Sequence, residues 1–162
     1  MTENRVKVKD YGILVKGDRH LVGIPSVSWK RCKMHVLAAA AFVIMTAACY
    51  AETGIKLKAV SGWRPHRWQS WQHYVDYCIK KYGSVIHGRK WIAYDSPHET
   101  GLAVDFFCGG LRPKSATATK QKRTRLYAWL KANAHKYGFT PYLPEPWHWE
   151  YNISKQDWSK GA

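Results

Sequence analysis

Ser96-Pro-His98-Glu-Thr-Gly101-Leu-Ala-Val-Asp105 sets an imidazole and a carboxylate seven positions apart. Gly101 permits a tight turn between them, and Leu102-Ala103-Val104 reads as the start of a buried strand that carries Asp105 inward. Downstream, Glu145-Pro-Trp-His148-Trp-Glu150-Tyr adds a second imidazole between two carboxylates, in aromatic surroundings that exclude water. Two His and one Asp are a three-ligand set for Zn²⁺ that leaves a fourth position for water, as catalytic rather than structural zinc requires. That set points to hydrolysis. A peptide bond also needs a proton carrier that takes a proton from water and returns it to the leaving amine, a task for a carboxylate beside the metal but not bound to it. Glu145 and Glu150 compete for it: Glu150 shares an ideal strand face with His148, while Pro146 upsets the alternation upstream.

These residues resemble the signature of the D-alanyl-D-alanine carboxypeptidases and their L-alanyl-D-glutamate endopeptidase relatives, zinc peptidases that cut peptidoglycan stem peptides. The match is Ser96-x-His98-x-x-Gly101-x-Ala103-x-Asp105, followed by Glu145-x-x-His148. Ser61-Gly62-Trp63-Arg64-Pro65, with Gln69 five positions after the arginine, is similar to the family's Ser-Gly-Tyr-Arg-Ser segment and its glutamine; Pro65 departs from the serine. The three motifs follow the family's order between residues 61 and 151. The resemblance implies His98, Asp105 and His148 as zinc ligands, Glu145 as the general base and Arg64 as a substrate-facing cation. Gln69, Ser96 and Trp147 stand beside them as candidate substrate contacts, Ser96 being equally suited to a turn and Trp147 to a wall of the site. Carboxypeptidase and endopeptidase specificity both stay open. One small domain, strong positive charge and no N-terminal signal peptide look like a phage endolysin, made in the cytoplasm and acting on the bacterial cell wall.

Composition bears on the partners. Lys and Arg outnumber Asp and Glu by 26 to 11, a formal charge of +15, which favours a polyanion: nucleic acid, anionic lipid or envelope polymer. No acidic residue lies between Asp105 and Glu145, a window holding Arg112, Lys114, Lys120, Lys122, Arg123, Arg125, Lys131 and Lys136. This run reads either as a basic surface for the anionic bacterial envelope or as a solvated face. A different class is a nucleic-acid-binding module using a basic helix over residues 124–137, whose binding would survive chelation and fall steeply with salt. The four cysteines, 32, 49, 78 and 108, form no Cys-x-x-Cys pair; they read as buried thiols from a reducing compartment, not as zinc ligands.

The expected fold is α+β: one small domain over residues 11–162 behind a flexible arm of residues 1–10, monomeric, with a central, mostly antiparallel sheet. About three helices pack around the sheet, with the zinc site at its edge. Short β-prone runs at 12–15 and 20–24 suit a hairpin. The apolar run from His35 to Ala51 is shorter than the roughly 20 residues a membrane span needs, and reads as a core helix packed on both sides and ended near Gly54. Residues 55–61 alternate as a strand that delivers Arg64. Helical spacing over 68–82 ends at Gly83, with its aromatics assigned to the core, and a loop follows to Ser96. A strand over 101–108, a break at Gly109-Gly110, a helix over 124–137 and strands at 139–143 and 147–153 complete the domain, before a polar tail anchored by Trp158. His20, His35, His66, His73, His87 and His135 read as ordinary histidines.

Overall fold

Two antiparallel sheets organise the chain in this computed structural model, which describes residues 2–108 and 111–161. Strands β1 (Leu21–Gly23) and β2 (Lys33–His35) pair with each other. The larger sheet joins β3 (Ala59–Ser61), β4 (Ala103–Phe106), β5 (Phe139–Tyr142) and β6 (Glu145–Tyr151) in the order β3-β4-β6-β5. The continuous apolar run around Val104 makes β4 an inner strand, buried at all four positions. Asp105 and His148 thus sit on the two inner strands, and the candidate site lies across the middle of the sheet, not along an outer strand.

One face of this sheet is covered by α2 (Val36–Thr53), which follows the single turn α1 (Val8–Tyr11). His35 caps α2 by accepting the Leu37 N–H on Nδ1, and Gly54 ends it in a left-handed conformation at φ 72°. Its small alanines let Phe42 approach Phe106 and Phe139, with ring centroids 6.2 and 6.3 Å apart. Packing on both sides was expected, but only the stripe Ala38, Ala39, Phe42, Met45 and Cys49 is buried, and Val43, Ile44 and Tyr50 face outward. By length and composition this helix could cross a membrane.

Beyond β3 the chain builds a smaller body from α3 (Trp71–Tyr82) and α4 (Val85–Gly88). Ser70 starts α3 by accepting the His73 N–H, a cap worth about 1 kcal/mol. A separate cluster of Trp68, Tyr74 and Cys78 fills the space between these helices. Trp71, assigned to the core with the other aromatics of this helix, is 55% exposed, and Ile79 is 52% exposed. After α5 (Ala118–Gln121), α6 (Arg125–Asn133) is capped by Thr124 and runs into a 3₁₀ turn that ends at Tyr137. The tail is helical as α7 (Lys155–Lys160) and buries Trp158. Among the described residues, three longer helices, α2, α3 and α6, and four short ones accompany the sheets.

Three further expectations need revision. Residues 12–15 do not form a hairpin with 20–24: Leu14 donates its N–H to the Glu99 carbonyl instead, and β1 pairs with β2. Only the last three residues of the 55–61 run enter the sheet, where Ala59 also bonds the loop at Pro25 and Val27. Residues 5–10 are no loose arm, since Val6 is 3% exposed and Arg5 reaches across to β6. Gly109 and Gly110, the expected break, lie outside the described residues.

Candidate metal centre

His98 is presented by a 3₁₀ turn, Pro97–Thr100, whose start is capped by Ser96; its Oγ accepts the His98 N–H at 3.3 Å. Gly101 ends the turn at φ 78°, and a Cβ there would come within 2.8 Å of the His35 nitrogen. Both the left-handed backbone and the close approach require glycine. The chain then enters β4, where Asp105 stands directly opposite His148 of β6.

The ligand atoms of His98, Asp105 and His148 all lie within 4.8 Å of one another. His98 Nε2 is 3.3 Å from Asp105 Oδ2, and His148 Nδ1 is 2.8 Å from Asp105 Oδ1. Each ring is held from behind. His98 Nδ1 donates to the Gly62 carbonyl at 2.7 Å, and His148 Nε2 donates to Glu150 Oε2 at 2.6 Å. These outer acceptors fix the ring orientations, so the opposite nitrogens turn toward Asp105. Gly62 comes so near β2 that a Cβ would sit 2.3 Å from the Lys33 carbonyl oxygen.

Burial alone would lower the His148 pKa, but hydrogen bonds with Asp105 and Glu150 bring it up to about 9. Burial would likewise raise Asp105, yet the His98 charge and hydrogen bonds from both imidazoles hold it well below the usual carboxylate range. In the metal-free protein, then, an imidazolium sits between carboxylates, and a metal ion would take the place of its proton. Two nitrogens and one carboxylate oxygen fit zinc in number and kind. The four cysteines are free and buried outside this group.

The two competing glutamates differ sharply. Glu150 is completely buried and accepts from Arg5 Nη2 at 3.0 Å and from the Val6 N–H at 2.7 Å, besides His148. Burial pushes its pKa up, but His148 and Arg5 pull it below the ordinary value. Its lone pairs are thus engaged away from any substrate. Glu145 begins β6 partly exposed.

Strand alternation does not link Glu145 to His148. Pro141 pairs with Trp149 but Tyr142 with Glu145, so Pro146, Trp147 and His148 have no partner on β5. The Pro146 carbonyl inside this bulge accepts from Cys108 Sγ at 3.3 Å and Trp149 Nε1 at 3.1 Å. Burial drives the Cys108 thiol up to about 12, so it stays a donor.

Arg64 follows β3 and donates its backbone N–H to the His98 carbonyl at 3.3 Å. Its guanidinium, 55% exposed, lies 3.8 Å from Asp105 Oδ2. Trp147 is buried, and Gln69 is exposed just before α3. His98, Asp105, His148 and Arg64 are therefore brought together, while Ser96 is engaged as a cap. A second set, His66, Asp95 and Glu99, also has ligand atoms within 4.8 Å, with His66 Nδ1 3.0 Å from Glu99 Oε1. The sequence reading missed Arg5, the Val6 N–H and the Gly62 carbonyl. No local pattern marks them, because Arg5 acts on a residue 145 positions away.

The profile of the VanY D-alanyl-D-alanine carboxypeptidase family matches residues 31–154. No curated protein matches the chain. Among solved structures, the LdcB LD-carboxypeptidase is 28% identical with a TM-score of 0.66, covering 88% of this chain and 72% of that one. VanYB in complex with D-alanine-D-alanine is 23% identical with a TM-score of 0.54, over 92% of this chain and 86% of its own. The D,D-pentapeptidase VanY in complex with Zn(II) is 22% identical with a TM-score of 0.52, over 91% and 86%. The latter two show a shared fold.

Proposed function

The chain belongs to the D-alanyl-D-alanine carboxypeptidase family, and from that premise we propose that it is a zinc-dependent peptidase acting on peptidoglycan stem peptides. Membership makes it a peptidase of the cell wall. In this reading His98, Asp105 and His148 hold the metal, Glu145 moves the proton and Arg64 grips the substrate. The observation that carries it is the convergence of two imidazole nitrogens on Asp105, each ring tied off behind by its own acceptor.

When bound, a divalent ion supplies Lewis acidity that acidifies water and polarises an amide carbonyl. The remaining work falls to the chain. Glu145 takes the proton from the attacking water and returns it to the leaving amine. Glu150 holds the His148 ring, since its lone pairs are already committed. Arg64 offers a half-exposed guanidinium beside the cluster, where it pairs with a terminal carboxylate or with the oxyanion formed on attack. A fixed cation at that place favours removal of a C-terminal residue over internal cleavage. Gln69 and Trp147 are proposed to line the peptide's path.

The eight cations between Arg112 and Lys136 are all exposed; they concentrate a monomeric enzyme on the anionic wall, in keeping with an endolysin-like lytic role. Family membership sets aside the nucleic-acid-binding alternative. The test is incubation with purified peptidoglycan and a soluble stem pentapeptide, with and without chelator, followed by mass analysis. Free D-alanine that disappears on chelation is expected. New internal amino termini would replace carboxypeptidase by endopeptidase specificity, and hydrolysis indifferent to chelator would overturn the metal assignment.

A further inference from the structure

The α3–α4 body holds an aromatic array that the peptidase chemistry leaves unused. Trp71 lies 5.3 Å from Tyr74 and 5.1 Å from Tyr94, centroid to centroid, and Tyr74 lies 5.4 Å from Tyr94. The array is anchored: the Tyr74 hydroxyl donates to the Ile92 carbonyl at 2.8 Å, and Trp68 Nε1 donates to the Ala93 carbonyl at 3.2 Å. These rings hold a cleft of about 690 Å³, whose lining includes Arg89 and Lys90 and no carboxylate. More than half of Trp71 remains open to solvent.

The cleft is joined to the candidate metal centre by side-chain contacts. Tyr94 packs edge-on against His66 at 4.9 Å, and His66 hydrogen-bonds Glu99, the neighbour of His98 in the 3₁₀ turn.

We propose that this cleft binds a saccharide unit of the glycan strand while the attached stem peptide enters the metal centre; the choice of glycan rests on the function proposed above. Rigid exposed rings suit the apolar C–H faces of a pyranose, and the cations at the rim donate to hydroxyl and acetamido oxygens. A purely apolar ligand would make no use of the exposed Arg89 and Lys90, and a simple anion would leave the rings without a partner. An N-acetylated hexosamine satisfies both.

Tri-N-acetylchitotriose, which contains no peptide, is the probe. Titration calorimetry and saturation-transfer NMR should detect its binding to the intact protein. Trp71→Ala should weaken it by about tenfold or more, as loss of a central aromatic contact does. Trp91→Ala is the control, because Trp91 is 75% exposed but does not line the cleft; it should bind as wild type. Circular dichroism and metal content check folding, and if Trp71→Ala unfolds, Trp71→Phe should still bind more weakly than wild type. Absence of trisaccharide binding, or equal binding by the Trp71 variant, would overturn the assignment, as would a Trp71-dependent dimer in place of sugar binding. Failure of the peptidase reading is visible separately, as unchanged walls and pentapeptide despite normal trisaccharide binding.

Discussion

The half of the molecule around the candidate metal centre and the α3–α4 body both use aromatic and cationic side chains, yet they are held together differently. Around the candidate metal centre, chain segments far apart in sequence supply the restraints: Gly62 holds His98, Glu150 holds His148, and Arg5 holds Glu150. In the α3–α4 body the restraints are local, since rings between Trp68 and Tyr94 pack on one another and Arg67 lies over Trp68 and Tyr77, 4.8 Å from each ring centre. The first arrangement fixes nitrogen and oxygen atoms closely enough for chemistry. The second fixes ring planes and leaves their surfaces open.

The largest expected effect breaks the metal-centred half outright. His98→Ala, Asp105→Ala or His148→Ala should abolish stoichiometric zinc measured by elemental analysis, because two protein ligands hold a catalytic ion poorly. Retention of one zinc per chain in any of them would dismantle the proposed ligand set. Glu145→Gln should keep the metal but lose about two to four orders of magnitude in pentapeptide turnover, the range for a positioned acid–base group. If Glu150→Gln shows that pattern instead, the two glutamates have been given each other's tasks.

Next in size is the outer shell. Glu150→Gln removes the charged acceptor behind His148 and should weaken zinc affinity by about 10- to 100-fold in competition with a chelating dye. Arg67→Ala in the α3–α4 body should leave that affinity unchanged while lowering stability by about 0.5–1 kcal/mol, the worth of an exposed cation–π contact. Equal effects of the two on zinc affinity would erase the distinction between the halves.

A further effect concerns the metal-free protein. The His148 pKa is raised in the fold to about 9, so the folded state binds its proton more tightly than the unfolded chain does. The stability this contributes is complete below the unfolded value near 6.5 and is lost as pH rises through about 9. Melting temperature after chelation should therefore decline over that window by more than in His148→Gln. Equal slopes would mean that the buried imidazolium stabilises nothing.

Much of this was legible locally. The long helices announce themselves through apolar runs and their glycine ends, as at Gly54 and Gly83. The motif residues His98, Asp105 and His148 stand at spacings that suggest a metal before any fold is known. The outward face of α2 and the exposure of Trp71 were not legible, because spacing defines a face but not whether another element covers it.

The choice between Glu145 and Glu150 shows the same division. From sequence, both are carboxylates within a few residues of His148, and ideal alternation would favour the second. The bulge at Pro146 and the reach of Arg5 become visible only once β5, β6 and the N-terminal segment are assembled. Sequence alone determined which chemical groups are available and which short elements carry them, since caps, turns and periodicity act over a few residues. Tertiary structure decided which of those groups already have partners, because partners contributed from distant positions leave no local trace and take up lone pairs only when the chain is packed.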